Sequence, residues 1–305
     1  MDSFHFAMLA IVSRSVSVAA CVVNAVSSLV AVVGNALILV AIYKNPSFRT
    51  PSYILLAGLA LTDFFTGLLL LPVSVVFTVL VEFMKKGSPS LCLIMVIFQH
   101  GIGSYLGFTA IFVITVMSVE RWLLISRRST AITTHRIFKA YVVICLLPTP
   151  FITSRLARSL DGCVHNKLDG AEGIVVFVCL LITSVFYFKV LQIIRSHQLQ
   201  IQATQPNQGF GQAAIDIAKY NKSVIMLLYI LALFSVCYLP SAIFLQVTLF
   251  YQDFQYTTEV IILTNILSTL YYLSSALNPL LYCWRTRDLR VRVRQLLMRI
   301  FQQNV

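Results

Sequence analysis

The few polar and ionisable side chains inside long apolar runs are the first candidates for chemistry in this sequence. Asp63 stands in the middle of LALTDFFTGLLLLP, and Asn35 and Asn278 lie at comparable depth in two other runs, the latter preceded by Ser274 and Ser275. A carboxyl group in a bilayer is costly and requires partners. A carboxylate surrounded by amide and hydroxyl oxygens predicts an ion or water site that differs between two conformations. The alternative is a neutral, hydrogen-bonded carboxyl that serves packing alone.

A second candidate is the charged pair Glu120–Arg121, which closes an apolar run that begins at Cys92 and contains no other charged residue. The 29 steps from Cys92 to Arg121 correspond to about 44 Å of helix, the thickness of a bilayer with its headgroups. An arginine held by a neighbouring carboxylate is released when a partner offers better acceptors, which makes the pair a two-state element. Ordinary anchoring at the membrane surface is the alternative.

The composition indicates which kind of protein positions these groups. Of the 305 residues, 58% are hydrophobic and 11% are charged, whereas soluble domains carry about 25% charged residues. The net charge of +12 would suit a nucleic-acid binder. The basic residues lie in short segments between apolar runs, however, which favours a membrane protein and disfavours a nucleic-acid partner.

Seven apolar runs predict an all-α membrane protein, a seven-transmembrane helix bundle that forms one domain over residues 1–305. The run boundaries are about 18–43, 52–80, 92–124, 137–154, 173–194, 222–250 and 259–283. Residues 286–301 follow with apolar side chains at helical spacing and arginines between them, which predicts a short amphipathic helix 8 on the anionic cytoplasmic surface, in contact with membrane lipids. No basic segment precedes the first run, so we expect a signal anchor rather than a cleaved signal peptide.

The distribution of lysine and arginine predicts the orientation. Seventeen of these residues fall on one side of the seven runs and six on the other, and the side richer in them is cytoplasmic. The N-terminus is then extracellular and the C-terminus cytoplasmic, in the plasma membrane. Cys92 and Cys163 fall on the outer, oxidising side, where one disulfide is the most that the pattern suggests. The other five cysteines lie within the runs and are expected to be free.

Six short motifs, each on the matching run, make the chain resemble the rhodopsin-like (class A) G protein-coupled receptors over nearly its full length. The motifs are Gly34–Asn35, LALTD ending at Asp63, Glu120–Arg121–Trp122, Tyr187, FSVCYLP ending at Pro240, and NPLLY from Asn278 to Tyr282. The sequence departs from the family pattern where Trp122 replaces tyrosine and Tyr238 replaces tryptophan. The resemblance implies a receptor without catalytic chemistry or an organic cofactor.

The resemblance also implies roles for the polar residues. Asn35, Asp63, Ser274, Ser275 and Asn278 would line a sodium and water site, in which Ala110 replaces the serine that the family often contributes. Arg121 would contact a heterotrimeric G protein after the sixth helix swings outward about Pro240, with Pro279 as a second hinge. Tyr187 and Tyr282 would turn inward to hold the active state, and Cys92–Cys163 would tether the third helix.

By the same resemblance the ligand pocket would lie in the outer half of the bundle. Its expected residues are Gln99, Gly103, Gly107, Tyr238, Ser241, Ser268 and Tyr272. The third run has no acid there to bind an amine, and the seventh has no lysine for a retinal Schiff base. The glycines predict a roomy, uncharged pocket suited to a neutral or lipid-like small molecule, or to the tip of a peptide.

Two other classes of membrane protein are alternatives to a receptor. A transporter or channel would use Asp63 as an ion site, but it requires several ionisable residues along a path, and only Asp63 lies deep. An intramembrane enzyme requires paired catalytic groups at depth, which the runs lack. Within the receptor interpretation, Tyr220 stands where some family members place the acidic partner of Arg121, so we expect signalling without agonist.

Overall fold

The computed structural model describes residues 2–80, 84, 89–126, 133–150, 152–153, 169–203, 225, 228–244, 247 and 258–302. Within these residues every long element is a helix and no strand occurs. Helix α1 is Asp2–Lys44 and α2 is Pro51–Thr78, which passes through a π-helical turn at Thr66–Leu70. Helix α3 consists of Pro89–Met95, the π-helical Val96–Gly103 and Ser104–Ile125.

The remaining helices complete the bundle. Helix α4 is Thr134–Leu146, α5 is Asp169–Ala203, α6 is Leu228–Phe244, α7 is Thr258–Arg285 and α8 is Arg287–Gln302. By length and composition, five of the described helices can cross a bilayer, namely α1, α2, α3, α5 and α7. The described part of α6 is a shorter apolar helix, and α4 has 13 residues.

Three helix ends differ from the apolar runs. The regular part of α4 ends at Leu146, because Pro148 and Pro150 interrupt the helical hydrogen bonding, and helical residues follow at 149–150 and 152–153. Helix α5 continues to Ala203, beyond the end of its apolar run near 194, because glutamine-rich sequence is compatible with helix. Helix α1 begins at Asp2 rather than near residue 18, because residues ahead of the long apolar run can also adopt helix.

The exterior of the bundle is apolar, as a lipid-facing surface requires. Leu29 on α1, Ile174 and Phe188 on α5 and Val236 on α6 are each more than 60% exposed. A soluble protein rarely exposes so many large apolar side chains together. The polar side chains Asn35, Asp63 and Asn278, in contrast, are buried inside the bundle.

Helix α3 lies at the centre and α1 pairs with α7. Helix α3 contacts α2, α4 and α5, and α1 and α7 share the most extensive interface between described helices. Polar contacts run along that interface: Asn265 donates to Ser17 at 3.2 Å and Asn35 donates to the Ser275 carbonyl at 3.1 Å. Helix α8 packs on α1 and α7 through the buried side chains of Leu289 and Val293.

Candidate functional site

A buried polar cluster joins α2 to α7 at the middle of the bundle. The amide of Asn278 donates to Oδ2 of Asp63 at 2.8 Å, and both side chains are about 5% exposed or less. Ser275 lies within hydrogen-bonding reach of the same carboxyl group. The hydroxyl of Ser274 donates to the Tyr271 carbonyl at 2.8 Å. The structure therefore brings Asp63, Ser274, Ser275 and Asn278 together.

The fifth residue expected in this cluster, Asn35, has a different position. Its amide donates to the carbonyls of Ala31 and Ser275, at 2.8 and 3.1 Å, so it ties α1 to α7. It does not line the cavity beside Asp63. One residue earlier, a Cβ added to Gly34 would meet the ring of Pro279, with the nearest atom at 2.8 Å. Glycine at 34 thus lets α1 pack directly against the kink of α7.

A cavity of about 20 Å³ adjoins Asp63, which is enough space for one water molecule or a single small ion. Its lining comes from α2, α3, α6 and α7. The lining residues are Leu59, Thr62, Asp63, Thr66, Leu106, Gly107, Ala110, Phe234, Tyr238, Tyr271, Ser274, Ser275 and Asn278. Thr62, Thr66 and Tyr271 were missed from the sequence, although the spacing of Thr62 and Thr66 places both on the Asp63 side of α2.

The oxygens around the cavity fit a small monovalent cation. The hydroxyls of Thr62, Thr66 and Ser274 donate to carbonyls of their own helices at 2.7–3.0 Å, which leaves their oxygen lone pairs as acceptors. Asp63 supplies the one negative charge. One carboxyl group among neutral hydroxyls and an amide suits an ion of one charge better than an ion of two. Ala110 contributes no oxygen from α3.

Two tyrosines close the side of this cavity that faces Gly103. The hydroxyl of Tyr238 donates to that of Tyr271 at 2.6 Å, and the Tyr271 hydroxyl lies 3.3 Å from the Gly103 carbonyl. The rings of Phe234 and Tyr238 stack at 4.0 Å. Both hydroxyls lie over Gly107, where an added Cβ would meet the oxygen of Tyr238 and would come within 2.6 Å of that of Tyr271.

At Gly107 and Gly103, the open volume that we expected is occupied in the structure. The space that glycine leaves at 107 is filled by tyrosine rings from α6 and α7, and that beside Gly103 is lined at van der Waals distance by Phe98 and Leu70. Glycine in α3 makes close helix packing possible here rather than an open volume. A sequence without coordinates does not show which aromatic ring occupies such a space.

The other expected pocket residues are dispersed. Tyr272 is buried against Leu70, Leu71 and Leu106, so it faces α2 and α3. Ser241 donates to the Leu267 carbonyl at 3.0 Å and thus joins α6 to α7. Gln99 and Ser268 are half-buried, and Nε2 of Gln99 is a buried atom without a hydrogen-bond partner among the described residues.

The charged pair at the far end of α3 is held from α2. Nε of Arg121 lies 3.4 Å from Oε2 of Glu120, an ion contact without hydrogen-bond alignment. The second carboxylate oxygen accepts a 2.6 Å hydrogen bond from Ser52. The Glu120 side chain is 1% exposed and that of Arg121 15%. A buried carboxylate is thus paired with an arginine whose contact is loose.

Three aromatic residues were expected to act with Glu120 and Arg121, namely Trp122, Tyr187 and Tyr282, and they take separate positions. Trp122 packs on α5, with its ring 5.2 Å from Phe186 and the ammonium of Lys189 5.4 Å from its centre. Tyr187 is buried within electrostatic reach of Arg121. Tyr282 is fully buried within reach of Asp63, and its hydroxyl has no hydrogen-bond partner among the described residues.

The hinges and cysteines complete the expected set. Pro240 and Pro279 both lie inside continuous helix, in α6 and α7. Cys21, Cys145, Cys179, Cys237 and Cys283 are free, as expected. Cys163 and the side chain of Cys92 lie outside the described residues, so the disulfide remains a prediction.

The motifs that carry this geometry match a family model. The model for "7 transmembrane receptor (rhodopsin family)" covers residues 34–154 and 170–282, which hold the polar cluster, the tyrosine pair and the charged pair. The chain belongs to this family of receptors. The seven-transmembrane bundle expected from the sequence is therefore confirmed at the level of the family.

Several known receptors are similar to this one along most of their length. The high-affinity lysophosphatidic acid receptor of Xenopus laevis is 22% identical over 292 residues, 86% of this receptor and 77% of the relative. The adenosine receptor A3 of Ovis aries is 24% identical, with 86% and 84% covered. The neuropeptides B/W receptor type 2 of Bos taurus is 27% identical, with 90% and 83% covered.

Proposed function

We propose that this receptor senses an extracellular ligand and activates a heterotrimeric G protein when the inner end of α6 moves outward. The observation that carries the proposal is the charged pair on α3. Arg121 is partly exposed and is held at 3.4 Å by the adjacent Glu120, whereas Ser52 fixes the carboxylate. A guanidinium in so loose a contact is available to a partner with better acceptors. The full chain, in this proposal, is one receptor domain.

The proposed ligand is a neutral or lipid-like small molecule, or the tip of a peptide. The relatives are named for a lysophospholipid, a nucleoside and neuropeptides, and their similar, low identities favour none of these. A ligand would meet the tyrosine pair at the bottom of its pocket, and this pair presents hydroxyl groups and no charge. A ligand that reaches this floor therefore carries a polar but uncharged inner end.

The test is a ligand-library screen that measures dissociation of the G protein in transfected cells. An active compound is expected to lose its effect when Arg121 is replaced by alanine, while surface expression is maintained. A library that gives ligand binding to the purified receptor without any G protein response would contradict the proposal. Uptake of a solute that depends on Asp63 would instead support the transporter or channel alternative.

Asp63 is also proposed to hold a sodium ion or an ordered water. Asp63, Ser274, Ser275 and Asn278 would surround it from α2 and α7, with the hydroxyls of Thr62 and Thr66 beside them. The ion would supply a positive charge that neutralises the buried carboxylate and favours the resting packing of α2 on α7.

The position in the cell follows from the same proposal. The receptor would span the plasma membrane with its N-terminus outside and its C-terminus inside, and Cys92 would pair with Cys163 on the outer face. The amphipathic α8, with Leu289 and Val293 buried and its arginines exposed, would rest on anionic lipid.

A further inference from the structure

One contact joins the ends of α6 and α7 that lie farthest from the tyrosine pair. The ring of Tyr229 on α6 lies 5.4 Å from that of Trp284 on α7. The guanidinium carbon of Arg285 lies 5.7 Å from the Tyr229 ring centre and 6.0 Å from that of Trp284. We call these three residues the α6–α7 clamp.

The chemistry of the clamp is that of a cation between two aromatic faces. Guanidinium groups stack on tyrosine and tryptophan rings, whose faces are negative, and the two rings also attract each other. Nε of Arg285 is buried and has no hydrogen-bond acceptor among the described residues. In the described part of the chain, the Arg285 guanidinium therefore interacts with the faces of the two aromatic rings. Arg290 of α8 lies 3.4 Å from the Trp284 carbonyl, which fixes the end of α7 that carries the clamp.

The clamp lies far from Pro240 along α6, so a rotation about this proline would displace it more than it displaces nearer contacts. Tyr229 lies eleven residues before this proline in the sequence, which is about 16 Å along a helix. A swing of about 20° about Pro240 would move Tyr229 by about 6 Å, and the cation–π contact is lost beyond about 6 Å. The hydrogen bonds from α6 to α7 at Tyr238 and Ser241, in contrast, lie within two residues of Pro240 and would move by about 1 Å.

We infer that Tyr229, Trp284 and Arg285 are positioning residues that hold the inner end of α6 against α7 in the resting receptor. They act through α6 and do not themselves need to touch ligand or G protein. The inference rests on the proposed outward movement of α6. In the resting receptor, α6 would then be held by aromatic and cation–π contacts within the described helices. The acidic residue that could pair with Arg121 is replaced by Tyr220 in this sequence.

The experiment uses the full chain in lipid nanodiscs. Spin labels at Ile225→Cys, three residues before α6, and at His135→Cys, in a background whose reactive cysteines are replaced by serine, report the distance from the beginning of α6 to α4. Nucleotide exchange on added G protein is measured in parallel, on receptor that carries no labels. The variants are Tyr229→Leu and Arg285→Gln, with Tyr229→Phe as the conservative variant that keeps the ring. Val236→Ala and Leu280→Ala are matched controls, because both residues are exposed on the same two helices.

Loss of the clamp is expected to raise the population with a long α6 distance by about 5- to 30-fold, the factor that corresponds to one aromatic and one cation–π contact. Tyr229→Phe and the controls should retain the wild-type distance distribution. The double variant Tyr229→Leu/Arg285→Gln should not exceed the effect of Tyr229→Leu, since this single substitution already removes both the ring–ring and the cation–π contact of α6.

Two outcomes separate the clamp from the proposed function. A distance distribution that is unchanged in Tyr229→Leu and Arg285→Gln would overturn the clamp, even if G protein exchange occurs. A lengthened α6 distance without any nucleotide exchange would leave the clamp standing and contradict G protein activation. Equal lengthening in Val236→Ala would also overturn it, because the effect would then be general loosening of α6.

Discussion

Among the glycines that the structure describes, Gly107 is the position where one added carbon atom should disturb the receptor most. A Cβ there would meet the hydroxyl oxygen of Tyr238 and lie 2.6 Å from that of Tyr271 and 3.1 Å from Cζ of Tyr238. Real Cβ atoms do not approach so closely, so Gly107→Ala must displace both rings and separate their 2.6 Å hydrogen bond. The rings are packed between Phe234 and α7, which leaves them little space to retreat.

The cost can be worked from three contributions. Overpacking a well-packed site costs about 1–3 kcal/mol, and the lost hydrogen bond adds about 1 kcal/mol. Alanine is favoured over glycine in a helix by about 1 kcal/mol, which offsets part of this. The net loss in the free energy of unfolding for Gly107→Ala is then about 1–3 kcal/mol.

Gly103→Ala is the matched control, four residues away on the same helix. Its added Cβ would find its nearest atoms at 3.4 Å and beyond, close to ordinary van der Waals distance. It gains the same helix propensity without the clash, so it should be neutral or stabilising by up to about 1 kcal/mol. The difference in the free energy of unfolding between Gly107→Ala and Gly103→Ala therefore measures the clash with the tyrosine pair.

The assay is thermal unfolding of the purified receptor, followed with a thiol-reactive dye that labels Cys179 and Cys237 when their buried side chains become exposed. Gly107→Ala should unfold several degrees below wild type and Gly103→Ala should not. Tyr238→Phe removes the nearest clashing atom, so it should reduce the cost of Gly107→Ala. Equal midpoints for the two alanine variants, or no rescue by Tyr238→Phe, would refute the packing argument.

Three further predictions concern the polar contacts and the α1–α7 interface. Asp63→Asn should abolish any difference in thermal stability between sodium chloride and choline chloride, which wild type should show at up to about 2 kcal/mol; a sodium effect that persists would exclude Asp63 as the ligand. Ser52→Ala removes a hydrogen bond to the Glu120 carboxylate worth about 1.5–3 kcal/mol, so basal nucleotide exchange should rise several-fold, and Ser52→Thr should restore it. Gly34→Ala should destabilise the receptor by about 1–3 kcal/mol through the Pro279 ring, and a wild-type melting midpoint would contradict this.

The polar cluster was predictable from the sequence because burying ionisable and amide groups in a bilayer leaves few solutions. Asp63 and Asn278, 215 residues apart, do form a hydrogen bond. The charged pair was predictable as a contact between neighbours, but Ser52 was not, since nothing local links it to Glu120. The amphipathic helix after α7 was also visible in the spacing of its apolar residues.

The groups that fill the space beside the glycines of α3 were poorly predictable, for a physical reason. A glycine in a transmembrane helix is equally compatible with open space and with a close neighbour. At Gly107 the neighbour is a pair of tyrosines from two other helices, and the sequence does not encode their rotamers. The π-helical turns at Thr66–Leu70 and Val96–Gly103 were missed as well, because no residue type marks them.

The interface between α1 and α7 has a consequence for how the protein is made. Asn35 finds its partner carbonyl at Ser275, 240 residues later in the chain. At about 5–20 residues per second, the ribosome needs about 12 to 50 s to synthesise that interval. During this time the Asn35 amide has the Ala31 carbonyl of its own helix but lacks the second acceptor, which α7 provides. Substitutions that weaken α7 should therefore first appear as loss of newly made receptor to quality control, before any defect in signalling can be seen.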